Sequence, residues 1–125
     1  MSNNEPTQEQ IKEFWEKLGA RYVPLFHCDT CLHEDAPYWL IKGISHRIYL
    51  AELMTMVDLN NLFKYAVPKL EREYLHTHII FEQDRTEPRI CAVQILFNNK
   101  LVGTGESNNP ALALFWAIWE VIHGK

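Results

Sequence analysis

The sequence predicts an α+β domain, a helix–sheet–helix (ABA) layered sandwich built on a mostly antiparallel sheet. Three observations carry this reading. Segments 7–18 and 110–123 have the caps and apolar spacing of helices. Segments 77–83, 89–97 and 100–106 read as strands, the last two joined by a tight turn. The final helix is apolar on nearly every side, so it needs cover on more than one face. A chain of 125 residues fits one domain. Residues 1–6 are expected to be a disordered N-terminus and 7–125 a single α+β domain.

Each element has a local cause. Thr7 reads as an N-cap with Gln10 three positions on, a capping box. Ile11, Phe14, Trp15 and Leu18 then fall at i, i+3, i+4 and i+7, and Gly19 stands where a left-handed residue ends a helix. Residues 22–26 suggest a short strand, and 27–37 a polar loop. Segments 38–42 and 46–50 read as two short strands about a turn at Gly43, and 53–57 is apolar without clear periodicity. Asp58 is a second N-cap candidate, followed by Leu59, Leu62, Phe63, Ala66 and Leu70 on one helical face. Pro68 lacks an N–H and clashes with the carbonyl four residues back. That helix therefore ends near Val67 or continues with a kink to about Arg72. Asn98 and Asn99 tolerate the positive φ of a two-residue hairpin turn. Asn109 caps the final helix with Pro110 at its first position, where a missing N–H costs nothing. Another helix or a second copy of the chain, as in a homodimer, is expected to complete the cover of that helix.

Charge and cysteine content exclude some classes. Twelve Lys+Arg against 16 Asp+Glu leave a net charge of −4, with no basic run. This argues against direct nucleic-acid binding, which draws on a basic stripe to displace counterions. The three cysteines and the absence of a signal-like N-terminus suit a soluble, cytoplasmic protein. The longest apolar run, 111–119, is far below the roughly 20 residues that span a bilayer, so no membrane association is expected.

The sharpest chemical feature is the segment HCDTCLH at 27–33. Cys28 and Cys31 have the C-x-x-C spacing that lets two thiolates grip one Zn²⁺ from a tight turn, and His27 and His33 flank them. His76, His78 and His46 are further imidazoles; on a strand, His76 and His78 would share a face. The alternative is a polar loop with no metal, its cysteines acting as small hydrophobes. Catalysis has little support: G-x-S-x-G, a Walker loop and H-E-x-x-H are all missing. Gly103-Thr104-Gly105 reads as a twist or bulge in a strand, and Cys91 as a buried, inert strand thiol. Trp116 and Trp119 lie on nearly one side of the last helix. They are candidate partner-binding residues, with core packing as the competing role.

Three stretches together resemble a family: EQIKEFW at 9–15, DLNNLFKYAVPKL at 58–70 and NPALALFWAIWEVI at 109–122. They resemble small phage and prophage proteins of the phage ABA sandwich domain type, over about 35 residues. The resemblance implies a layered domain encoded by a mobile element and brings no catalytic residues. The 27–33 loop and residues 43–57 lie outside it. The expected function is accordingly that of a small, non-enzymatic phage-derived binding protein in the host cytoplasm. It would engage a host protein or signalling molecule, including components of immunity such as CRISPR effectors. The alternatives are a structural zinc module and, last, a nucleotide-directed enzyme using His76 and His78.

Overall fold

The computed structural model describes residues 5–24, 37–73, 76–83 and 90–124. Helix α1 (Gln8–Lys17) opens the fold, and its capping box forms: the Gln10 amide donates to Thr7 Oγ1 at 3.2 Å and the Thr7 amide to Gln10 Oε1 at 2.8 Å. Gly19 ends it at φ +105°, a left-handed conformation that glycine adopts without a Cβ clash. Strands β1 (Arg21–Val23), β2 (Tyr38–Leu40) and β3 (Ile48–Tyr49) make a small antiparallel sheet in the order β1-β2-β3. Helix α1 packs beside it: the buried Trp39 donates its indole N–H to Glu16 at 2.8 Å.

One element differs from the sequence expectation, and another follows the second of its two expected courses, continuing through Pro68. The segment expected as a strand to residue 50 is a strand only over Ile48–Tyr49, and the chain then turns into helix α2 (Leu50–Thr55). Six residues are less than two turns, so no 3.6-residue periodicity emerges there. The segment after Asp58 is continuous helix in three parts: α3 (Leu59–Asn61), a π-helical turn (Leu62–Ala66) and α4 (Val67–Glu73). Asp58 caps it, accepting from the Asn61 amide at 2.7 Å. The Val67 amide reaches back to the Leu62 carbonyl, five residues away. This wider turn stands immediately before Pro68. It loosens the i→i−4 ladder where a proline has no N–H to contribute, so the helix passes through Pro68 instead of stopping.

The second antiparallel sheet has the order β4-β5-β6, from β4 (Thr77–Gln83), β5 (Cys91–Phe97) and β6 (Lys100–Ser107). Asn98 and Asn99 turn β5 into β6 with φ of +53° and +67°. The register slips between Ile95 and Leu96, so β6 carries an extra residue at Val102. Helix α5 (Pro110–His123) follows, capped by Asn109, whose side chain accepts from the Ala111 amide.

Helix α5 is the centre of the molecule. One side lies on β5 and β6, and other sides meet α1, α3 and the π-helical turn. Ala113, Leu114, Phe115, Ala117 and Ile118 are fully buried. The cover that its apolar circumference demands thus comes from within the chain. The fold is α+β with antiparallel strands and is compatible with helix–sheet–helix layering. The strands divide between two small sheets.

Candidate binding surfaces

The β4–β6 sheet has two unlike faces, set by strand alternation. Ile79, Val93, Ile95, Gly103, Gly105 and Ser107 point towards α5. The two glycines let the helix backbone come very close. A Cβ on Gly105 would collide with the Ala113 carbonyl and sit 2.6 Å from the Ala117 amide nitrogen. A Cβ on Gly103 would collide with the Ala117 carbonyl and sit 2.6 Å from Val121 Cγ2. The bulge expected in this strand is present beside Gly103, and the glycines have the further role of admitting α5.

The opposite face carries His78, Ile80 and Glu82 from β4. Ala92, Gln94 and Leu96 come from β5, and Leu101, Thr104 and Glu106 from β6. Ile80 is 42% exposed and Leu101 53%. Leu96 is half-buried between them, and His78, Glu82, Thr104 and Glu106 are exposed around them. An apolar strip rimmed by polar groups has the anatomy of a protein interaction patch. On the α5 side of the sheet, opposite Val93, Phe81 of β4 is 40% exposed and leans on Phe63 of the π-helical turn, ring centroids 6.0 Å apart.

The candidate partner-binding tryptophans belong to an aromatic ladder that ties α1 to α5. Phe14 stacks on Phe115 at 4.4 Å, Phe115 on Trp119 at 6.1 Å and Trp119 on His123 at 3.9 Å. Trp116 meets Phe115 and Trp119 edge-on. Both tryptophans are half-buried. His123 closes the ladder, with one ring nitrogen 2.6 Å from Glu13 Oε2 and the other 3.0 Å from the Trp119 carbonyl. The face between Trp116 and Trp119 is therefore largely engaged from within the chain.

The candidate zinc ligands Cys28, Cys31, His27 and His33 lie outside the described residues. Among the described residues no group of three His, Cys, Asp or Glu side chains comes together as a metal cluster. His76 and His78 do not share strand alternation: β4 begins at Thr77, and His76 sits before it with φ +57°. His46 pairs with Glu52 at 2.8 Å in an exposed position. Cys91 is buried in β5 as a free thiol, and burial pushes its pKa above the usual value, which keeps it protonated and unreactive.

A pocket of about 230 Å³ opens between the N-terminal segment, α1, α2 and the start of α5, lined by Pro6, Ile11, Met54, Val57, Asn109 and Leu112. It is smaller than the roughly 300–1,000 Å³ of typical small-molecule sites. No described helix is long and apolar enough to cross a membrane. No protein-family profile, curated protein or solved structure matches the chain.

The open sheet face had a sequence signal that pattern reading passed over. Ile79-Ile80-Phe81 puts consecutive apolar residues in one strand, and alternation sends Ile80 to the opposite side from its neighbours.

Proposed function

We propose that this chain is a small, non-enzymatic binding protein that engages a host protein through the outer face of its β4–β6 sheet. The observation that carries the reading is the apolar strip Ile80, Leu96 and Leu101 with its polar rim. The resemblance of segments 9–15, 58–70 and 109–122 to phage sandwich-domain proteins supports a host-cytoplasmic target. Immunity components, CRISPR effectors included, are the first to screen. Trp116 and Trp119 contribute through the aromatic packing that ties α5 to α1. The C-x-x-C spacing of Cys28 and Cys31, with His27 and His33 beside it, supports a zinc ion as a structural element of the 27–33 loop.

The test is affinity capture from host lysate with a tagged chain, run beside Leu101→Glu. Leu101 is exposed, so the variant keeps the fold by circular dichroism. A partner enriched by the parent chain and reduced at least about tenfold by Leu101→Glu is the expected result. No enriched partner, or one held equally by both, overturns the reading.

A further inference from the structure

The two edges of the β4–β6 sheet are not treated alike. The β6 edge is blunted twice, by the extra residue at Val102 and by Glu120 of α5, whose carboxylate accepts from the outward Thr104 amide at 3.2 Å. The β4 edge is straight: Thr77–Gln83 pairs with Phe97–Cys91 residue for residue without a slip. The Asn98 amide donates to the His76 carbonyl at 3.1 Å, which makes residues 76 and 98 a hydrogen-bonded pair. By alternation His78, Ile80 and Glu82 also bond to β5, while the backbone groups of Ile79 and Phe81 point away from it. Ile80, Phe81, Glu82 and Gln83 are all exposed. Such an edge is a template for another strand.

The sequence of β4 reads as its own complement. We propose that β4 pairs antiparallel with β4 of a second copy of this chain, centred on Ile80, to make a two-fold dimer with one continuous six-stranded sheet. In that register Ile80 faces Ile80 of the second copy, and Ile79 faces Phe81 on both sides of the axis. His78 faces Glu82 on both sides as well, an imidazole opposite a carboxylate. The Ile79–Phe81 pairs are the hydrogen-bonded ones and supply about four backbone hydrogen bonds. The Ile80 and His78–Glu82 pairs are non-hydrogen-bonded, where side chains approach most closely. Shifting the centre by one residue breaks this match. Centring on Ile79 sets His78 against Ile80, and centring on Phe81 sets Ile80 against Glu82. The two-fold axis makes the interface isologous and self-limiting, and the blunted β6 edges stop further growth. This dimer goes beyond the partner reading: it uses the β4 edge, whereas the proposed partner meets the sheet face.

The test is sedimentation of the full chain over a concentration series, with three sets of variants at exposed positions. The parent chain is expected to show a concentration-dependent dimer. His78→Glu places carboxylates opposite each other twice and is expected to weaken the dimer by about tenfold or more. The swap His78→Glu/Glu82→His is expected to restore it, because the complement is rebuilt. Under mild oxidation Ile80→Cys is expected to give a dimer cross-linked at position 80, since the Cα separation of such a pair, about 4.5 Å, suits a disulfide. Leu101→Cys, on the far strand, is not. A chain that stays monomeric at about 100 µM overturns the proposal. So does a dimer indifferent to His78→Glu, a swap that fails to rescue, or a cross-link absent at position 80. A different protein found adding its strand to β4 also overturns it. Loss of the dimer with the Leu101-dependent partner retained would remove this inference alone. A dimer with no such partner would remove the function reading alone.

Discussion

The two faces of the β4–β6 sheet are made by alternate residues of the same three strands, yet they are under opposite constraints. On the inner face the space for a single methyl group is gone, because Gly103 and Gly105 lie against the backbone of α5 at Ala113 and Ala117. On the outer face Ile80 and Leu101 are about half exposed. The contrast teaches that one strand can be held rigidly by one side while its other side stays available for recognition. A site on such a strand is more precisely positioned than one on a loop.

The sharpest way to break this comparison is Phe115→Ala. Phe115 is fully buried between Phe14 and Trp119, and its removal is expected to cost about 3–5 kcal/mol by denaturant unfolding. Gly105→Ala comes next. The added methyl meets helix backbone that cannot rotate away, so a loss of about 3 kcal/mol is expected, at the upper end for overpacking. A loss below about 0.5 kcal/mol would show that α5 sits less tightly than described. Asn109→Ala removes the cap of α5 and is expected to cost about 1 kcal/mol, read as a lower midpoint with an unchanged denaturant slope. On the outer face Leu101→Glu should stay within about 0.5 kcal/mol of the parent chain. A large loss there would show that the outer face is core after all.

The smallest effect belongs to pH. Burial raises the Cys91 pKa above its ordinary value of 9.0. The folded state therefore prefers the neutral thiol. Its contribution is fully present below pH 9 and is lost as pH rises from there, because the unfolded chain ionises first. The stability difference between the parent chain and Cys91→Ala is expected to shrink above pH 9. In the folded protein at pH 8, Cys91 should react with a thiol reagent only as fast as the chain opens.

Much of the fold was legible because its signals are local and long enough to repeat. The caps at Thr7, Asp58 and Asn109, the Asn98-Asn99 turn and the extent of α5 follow from the sequence as read. Helix α2 did not, since six residues cannot show a helical period. The π-helical turn was legible only as a conflict, a good helical face that includes a proline. The binding face was the hardest to see. In β4 the exposed Ile80 has the same chemistry as Ile79, which is partly buried against the core, and only the pairing with β5 tells them apart. Likewise Gly103-x-Gly105 acquires its meaning from Ala113 and Ala117, two small residues four apart in the following helix.

The contact between Glu13 and His123 has a consequence for the order of assembly. It joins residues 110 apart in sequence, so closing it sacrifices far more chain entropy than the β5–β6 hairpin or the docking of α5 onto it. The β5–β6–α5 unit, whose contacts are short-range, is the expected nucleus, and α1 clasps it last. His123→Ala should then accelerate unfolding while leaving the refolding rate nearly untouched. The clasp would act as a latch on the lifetime of the native state, with little say in how fast that state is reached.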